Sequence, residues 1–465
     1  MARYNYDIAV VGAGSAGLTA ARLARWFGKR VVLIDKVRLG GDCLHYGCVP
    51  SKALIKASRV AYESRTADRW GLEPHDARAD LGRVNARVAD VIARVGALDD
   101  AAALAEHGVE VALGQTRFLD AHTLQVGDRR VSAKYVLLAT GSSPAVPDIP
   151  GLAGSGVLTN EDVFSLDRLP PRLAVLGGGP VGAELAQALA RLGSEVTVLT
   201  RAAGLLPRDD PDLVALLTAQ FATEGITVHG GVDVHAVRRD RADLVVTIEG
   251  RSDLRVDQIL CATGRRPNVA DLDLAVAGVE HGPDGVQVDD RLRTTAEHIY
   301  AAGDVTGGPA YTHFAGYQAA HAVRNIVVPG SAAFDPGALP AVTFTDPEVA
   351  RVGRADDGTA YGILRFPYSR HERALTDGES VGLIKILVGR DRRILGAHVA
   401  GHNAGELIDE LTLAMNRKLT VDHIVGSIHA YPTYSFALPI ALHEYATTQR
   451  PSRALRLGRL LARLT

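Results

Sequence analysis

The chain has 465 residues, 47% of them hydrophobic and 22% charged, and a formal net charge of -2. That length allows two to four domains with large cores, and the charge gives no basic excess that would point to nucleic acid. Three cysteines in so long a chain exclude a disulfide scaffold. The opening residues, MARYNYDIAVVGAG, run into a strand pattern without the charged and apolar segments of a signal peptide. No uncharged apolar run approaches the roughly 18 residues of a membrane span, so a cytoplasmic protein is expected.

Residues 7–11 (DIAVV) read as a short buried strand, followed by the turn Gly12-Ala13-Gly14-Ser15-Ala16-Gly17 and a helix to about Trp26. A second strand over residues 30–34 ends at Asp35. Gly12 suits the tight turn, Gly14 the approach of a pyrophosphate to the backbone, and Gly17 the close packing of helix on strand. The helix N-terminus offers N–H groups and positive potential to phosphates, and Asp35 is placed to accept ribose hydroxyls. Strand, turn, helix and acid together favour a dinucleotide site over a purely structural glycine turn.

The segment GGDCLHYGCVPSK (residues 40–52) holds Cys43 and Cys48. Residues 49–62 follow a helical pattern with Pro50 in the first turn. Cys48 therefore falls at or near a helix N-terminus, where the dipole stabilises a thiolate, and Lys52 adds positive charge one turn on. Gly40, Gly41 and Gly47 permit the bent backbone that brings two sulfurs together. Spacing alone leaves buried packing or half a metal site open; beside a dinucleotide fold and before a helix, a redox pair is the preferred reading. Residues 63–120 are rich in Ala and Arg, with helical periodicity over 84–105, and predict long surface helices. Gly114-Gln115-Thr116 is placed to approach the adenine of the first dinucleotide.

The fingerprint recurs. Residues 173–176 lead into Gly177-Gly178-Gly179-Pro180-Val181-Gly182, a helix to about Leu192 and a strand over 196–199. Each unit is later closed by Ala-Thr-Gly, at Thr140-Gly141 and Thr263-Gly264. Two nucleotide folds imply two nucleotides, with reducing equivalents passing between them. Asp35 lies 23 residues after Gly12; the matching position after Gly177 is Thr200, followed by Arg201 and later Arg208. A carboxylate there grips a ribose 2′-OH, whereas Thr beside Arg favours a 2′-phosphate. This predicts NADPH over NADH, against the alternative that both arginines are solvated surface charges. Cys261, in an apolar strand pattern without Cys or His nearby, is expected in the core, and no resident metal site is predicted.

The 40–52 segment resembles the active-site segment of the class I flavoprotein disulfide reductases, the family of lipoamide dehydrogenase, glutathione reductase and mercuric reductase. Residues 300–304 (YAAGD) resemble its second FAD motif, residues 262–268 (ATGRRPN) are typical of it, and residues 342–353 (VTFTDPEVARVG) resemble the start of its dimerisation domain. The resemblance implies an α/β fold, with two Rossmann-like dinucleotide-binding domains plus a C-terminal α+β dimerisation domain. The expected division is 1–147 and 269–335 for FAD, 148–268 for NAD(P)H and 336–465 for homodimerisation. FAD is expected on Gly12, Gly14, Ser15, Gly17, Asp35, Gly41, Asp42, Gly47, Lys52, Gly114, Thr140, Gly141, Gly303 and Asp304. NADPH is expected on Gly177, Gly179, Gly182, Arg201, Arg208 and Gly264. The implied route runs from NAD(P)H through FAD to a Cys43–Cys48 disulfide. Cys48 is then the thiolate beside the flavin, Cys43 the interchange thiol, and Lys52 with Glu184 the ion pair that tunes the flavin.

Three positions depart from the family. Its disulfide-reducing members present a His-Pro-Thr segment, with a Glu five residues after the His, as acid/base for the substrate thiol. Residues 429–436 read HAYPTYSF, placing Tyr431 for the His and Phe436 for the Glu. Tyr431, with His429 beside it, is the candidate group on the acceptor side, and a phenol of pKa about 10 is a poor base near neutrality. A Tyr here resembles mercuric reductases, but the C-terminal cysteine pair and N-terminal metal-binding domain of those enzymes are missing from this sequence. Pro180 replaces a Tyr that covers the nicotinamide pocket in several relatives. The expected activity is thus mercuric-reductase-like metal or thiol-adduct reduction, or reduction of a small disulfide. The alternatives are a dihydrolipoamide dehydrogenase-type component acting on a protein-bound lipoyl group, or a quinone/NADPH oxidoreductase. In the tail, Ala454, Leu457, Leu460, Leu461 and Leu464 share one helical face, with Arg453, Arg456, Arg459 and Arg463 elsewhere. A terminal helix packed on the dimerisation domain is expected; the alternative is a basic amphipathic helix touching an acidic partner or a membrane.

Overall fold

The computed structural model describes residues 4–330, 332–449 and 453–462. The chain forms two compact units, one of Met1–Gly177, Arg191–Ser194 and Val234–Pro336, the other of Gly178–Ala190, Glu195–Asp233 and Gly337–Thr465.

In the first unit, β1 (Tyr6–Val11), α1 (Ser15–Trp26), β2 (Val31–Asp35), α2 (Gly41–His45) and α3 (Cys48–Arg65) follow in order. Next come α4 (Leu81–Gly96), α5 (Ala101–Glu106), β3 (Glu110–Leu113), β4 (Thr116–Phe118), β5 (Thr123–Val126) and β6 (Arg129–Leu138). They build a seven-stranded sheet ordered β3-β2-β1-β6-β5-β4, with the strand Ile299–Ala301 also on β6. β3, β2, β1, β6 and Ile299–Ala301 run parallel, while β5 pairs antiparallel with the start of β6 and β4 antiparallel with β5.

Strand alternation explains why these strands are apolar throughout. Ile8 and Val10 of β1 enter one core, shared with the alanines of α1 and with Ala315, Ala319 and Ala322 of the helix Thr312–Val327. Ala9 and Val11 enter a second core, with Phe118 and Leu124. A parallel sheet covered on both faces needs such runs. Gly17 is what lets α1 lie so close: a Cβ there would stand 1.8 Å from the Gly12 carbonyl oxygen. Because backbone cannot yield, Gly17→Ala is expected to cost upwards of about 3 kcal/mol. Urea unfolding and flavin content check this; an unchanged midpoint with full flavin would refute it.

The helical periodicity over 84–105 is broken between α4 and α5. Asp100 accepts the Ala103 N–H at 2.8 Å and caps α5, so its preference for a cap outweighs helix continuation. Residues 110–118, expected helical, lie largely in β3 and β4. Elsewhere in this unit the strand Arg172–Leu176 runs parallel to Gln258–Cys261, and Cys261, 4% exposed, lies in the core as expected.

The second unit holds the helix Pro180–Leu192 up to Ala190, the parallel strands Glu195–Thr200 and Thr227–Gly230, and the helix Pro211–Thr223. Its C-terminal part is a five-stranded antiparallel sheet ordered Ala341–Thr343, Glu348–Gly353, Ile394–Gly401, Leu383–Val388, Gly362–Pro367. The helix Ala404–Asn416 supplies Leu407, Ile408 and Leu411 to the same core as Ile384, Ile386 and Val399. The expected packing of the tail is not seen. In the helix Arg453–Leu461, Leu457, Leu460 and Leu461 are all more than half exposed; Arg463 and Leu464 lie outside the described residues. Among the described residues no helix is long and apolar enough to cross a membrane.

Candidate active site

Ten of the sequence-predicted positions of the first nucleotide fold fall beyond carboxyl ends of its parallel strands, where open α/β sheets bind ligands; Gly41, Asp42, Gly47 and Lys52 lie instead on or beside α2 and α3. Gly12, Gly14, Ser15 and Gly17 follow β1, Asp35 closes β2, Gly114 follows β3, Thr140 and Gly141 follow β6, and Gly303 and Asp304 follow Ile299–Ala301. α1 begins with no side-chain cap and no acid in its first turn, leaving its first N–H groups free of intrahelical partners. That is the environment a pyrophosphate needs. Asp35 accepts the Ala13 N–H at 2.9 Å through Oδ2 and the Val37 and Arg38 N–H groups through Oδ1. It therefore fixes the turn itself and meets a ribose only with its remaining lone pairs.

Gly41, φ 59°, brings this turn against the cysteine segment, since a Cβ there would lie 2.5 Å from Gly14 Cα. Arg265 ties the two together further. Its guanidinium lies 3.2 Å from Asp42 Oδ1 and 3.9 Å from Asp304 Oδ2, and its Nε donates to Ser142 Oγ at 2.7 Å. Ser142 Oγ donates in turn to Asp304 at 2.6 Å. Gly303 N–H donates to Gln318 Oε1 at 2.8 Å, and Thr140 Oγ1 to the Asn268 carbonyl at 2.7 Å. Residues Arg265, Ser142 and Gln318 were not singled out from sequence; only Arg265 stood in a recognised motif.

Cys43 lies in the short α2, which the sequence did not suggest, and Cys48 is the first residue of α3, as its pattern implied. The two are not joined by a disulfide, and Cys43 is half-buried and Cys48 exposed. A hydrogen bond with Cys48, then burial, push the Cys43 thiol well above its ordinary pKa. Cys48 begins an 18-residue helix with no acid in its first turn and no side-chain cap, which favours its thiolate. The pair thus holds one proton on Cys43 more readily than on Cys48. Cys48 Sγ also lies 3.3 Å from Thr312 Oγ1, at the start of the helix Thr312–Val327, and Ser15 Oγ donates to the Thr312 carbonyl at 3.1 Å. Thr312 carried no signal in the sequence. Lys52, half-buried, donates to Ser51 Oγ at 3.3 Å, and Gly47 precedes α3.

For the second nucleotide, Gly177 follows Arg172–Leu176 and Gly264 follows Gln258–Cys261 in the first unit. In the second unit, Gly179 and Gly182 stand at the start of the helix Pro180–Leu192, and Arg201 and Arg208 are exposed beyond Glu195–Thr200. Glu184 is 6% exposed and accepts the Phe344 N–H at 2.9 Å.

In the 429–436 segment, Tyr431 and Phe436 pack edge to face, ring centroids 5.3 Å apart at 77°. Tyr431 is 63% exposed, and its hydrogen bond to Glu372 and that carboxylate's charge raise its pKa above the usual phenol value. His429 is turned elsewhere, Nε2 2.8 Å from Glu410 Oε1 and Nδ1 3.1 Å from the Ser427 carbonyl. The structure therefore joins Tyr431 with Phe436 and Glu372, not with His429. Among the described residues no group of three or more His, Cys, Asp or Glu is arranged to hold a metal ion.

Comparison with known proteins matches residues 6–319 to the family described as pyridine nucleotide-disulphide oxidoreductase, and residues 339–441 to its dimerisation domain. A mercuric reductase from Streptomyces lividans is 35% identical over 96% of this chain and 97% of its own length. A dihydrolipoyl dehydrogenase from Geobacillus stearothermophilus is 33% identical, over 91% and 93%. The Cu(II) complex of the HOCl-induced flavoprotein disulfide reductase RclA from Escherichia coli superposes with a TM-score of 0.85, at 28% identity, over 95% of this chain and 99% of that one.

Proposed function

This chain belongs to the pyridine nucleotide-disulphide oxidoreductase family, and from that premise we propose that it uses NADPH to reduce a soft, thiol-bound metal ion at Cys43 and Cys48. It is an FAD-dependent oxidoreductase whose dimerisation domain supports a homodimer. The acceptor and the choice of NADPH are our reading, as is a cytoplasmic location, where thiols are kept reduced.

The observation that carries it is the Tyr431–Phe436 pair standing where disulfide reductases have His and Glu. Reducing a disulfide requires Cys43 to lose its proton to a base and the leaving thiolate to gain one. The raised pKa of Cys43 makes that base more necessary, and a phenol held protonated by Glu372 does not provide it. A thiophilic cation needs no base, because binding two thiolates itself displaces the proton. The strand-end residues above would hold FAD, which when bound would supply two-electron transfer between nicotinamide and the sulfur centre. Around it Cys48 would hold negative charge, Cys43 would carry and release the proton, and Lys52 would add positive charge. For Hg(II) the balance is NADPH plus Hg(II) giving NADP+, a proton and Hg(0); for Cu(II), two ions go to Cu(I). The relatives named as mercuric reductases and the Cu(II)-bound neighbour support this class of substrate.

Prereduced enzyme offered Hg(II), Cu(II), lipoamide, glutathione disulfide and a quinone in single turnovers decides the matter. Flavin reoxidation by the metal ions and not by the disulfides is expected. Reoxidation by either disulfide at a comparable rate would overturn the metal reading, and by the quinone alone would favour a quinone reductase.

A further inference from the structure

Residues 201–210 connect the strand Glu195–Thr200 to the helix Pro211–Thr223 and carry Arg201 and Arg208, both exposed. The rest of the stretch is pinned. Leu205 and Leu206 are 2% and 1% exposed. Leu206 has φ 44°, a left-handed conformation costly for its side chain, and its N–H donates to the Gly178 carbonyl at 2.8 Å. The stretch is thereby fastened to the second glycine-rich turn.

Immediately after Arg208 stand two acids, Asp209 partly buried and Asp210 buried. Asp209 Oδ1 lies 2.9 Å from Arg351 Nε. Asp210 caps the helix through the Asp212 N–H at 3.0 Å and accepts from Lys385 Nζ at 2.7 Å. Lys385 lies within the strand Leu383–Val388 with its side chain 4% exposed, and Asp356 and Asp212 stand 2.9 and 3.2 Å from the same Nζ. Burial opposes charge on Lys385; its hydrogen bonds to Asp210, Asp356 and Asp212 outweigh that and keep it protonated. A buried cluster of this kind is a weak source of net stability but a strong constraint on geometry.

We infer that Lys385 and Arg351, in the dimerisation domain, are positioning residues for nucleotide selectivity: through Asp210 and Asp209 they hold Arg208 and its connecting stretch in the geometry that meets a 2′-phosphate. The inference rests on the NADPH reading above. Guanidinium–phosphate pairing is bidentate and tolerates misplacement of only about half an ångström, so a stretch anchored at one end only would lose it. Neither Lys385 nor Arg351 need touch the nucleotide.

The test is anaerobic flavin reduction in the intact holoenzyme, with dissociation constants for NADPH and NADH taken from the concentration dependence. The unmodified enzyme should prefer NADPH, and Arg201→Ala/Arg208→Ala should weaken NADPH roughly fiftyfold with NADH unchanged. Asp210→Asn, which keeps a good helix cap, and Lys385→Met should each weaken NADPH about five- to tenfold and NADH less than about twofold. Lys385→Arg should restore most of the loss. If the unmodified enzyme shows no preference and the double arginine variant binds NADPH normally, the 2′-phosphate reading fails and takes this inference with it. If the arginines matter but Asp210→Asn and Lys385→Met bind NADPH unchanged, or weaken both nucleotides equally, only the positioning inference is overturned.

Discussion

Cys43→Ser is expected to lower turnover of every thiol-reactive acceptor by at least about a thousandfold, while NADPH still reduces the bound flavin. Serine keeps the shape of a half-buried side chain, so the fold should survive, with stability changed by less than about 1 kcal/mol. What is lost is a soft ligand and a thiol that can release its proton. That proton gives a second readout. The hydrogen bond with Cys48 and burial raise the Cys43 pKa, so Cys43 is protonated in the reduced enzyme at neutral pH. Hg(II) added to reduced enzyme should then release one more proton per site from the unmodified protein than from the variant. Steady-state NADPH oxidation with Hg(II) and proton release in weakly buffered solution measure both effects. Retention of a tenth of the metal-dependent rate would show that electrons leave without passing through Cys43.

The features read from sequence are the local ones. Gly12 and Gly17 declare a strand–turn–helix because backbone approach admits nothing larger there, and Cys48 falls at a helix start because the apolar period begins just beyond it. Both occur as expected. What stayed hidden depends on residues far apart in the chain. Arg265 reaches Asp42 across more than two hundred positions, and Thr312 meets Cys48 across 264; neither pairing leaves a periodic trace. The ion cluster of Lys385 with Asp210 is of the same kind, since a lone Lys in an apolar strand reads as an oddity until its partners are known. The helix break at Asp100 was legible in principle, from paired acids before an alanine run, but periodicity overrode it. The tail shows the opposite limit: its amphipathic pattern is real, yet a pattern does not say what covers it, and within one chain Leu457, Leu460 and Leu461 are exposed.

Tyr431→His combined with Phe436→Glu is expected to raise reduction of lipoamide or glutathione disulfide by roughly a hundredfold, the usual contribution of a placed acid/base group. The geometry favours this exchange. The rings of residues 431 and 436 already face each other with centroids 5.3 Å apart, so an imidazole and a carboxylate at these positions would meet. Tyr431→His alone should gain part of the effect, because Glu372, which accepts from the Tyr431 hydroxyl, stands ready to orient the new ring. A neighbouring carboxylate favours imidazolium, so the acquired activity should rise with pH through a value somewhat above the ordinary histidine pKa of about 6.5, as the base form appears. The unmodified enzyme should lack that inflection, since Glu372 raises the Tyr431 pKa further above neutrality. Metal-dependent turnover should change far less than the disulfide rate, because displacing the Cys43 proton by a thiophilic ion needs no base. NADPH oxidation with each acceptor between pH 5.5 and 9 reads all of this. No gain with either disulfide in the double variant would mean that residues 431 and 436 do not limit acceptor choice, and the case for a metal acceptor would lose its main support.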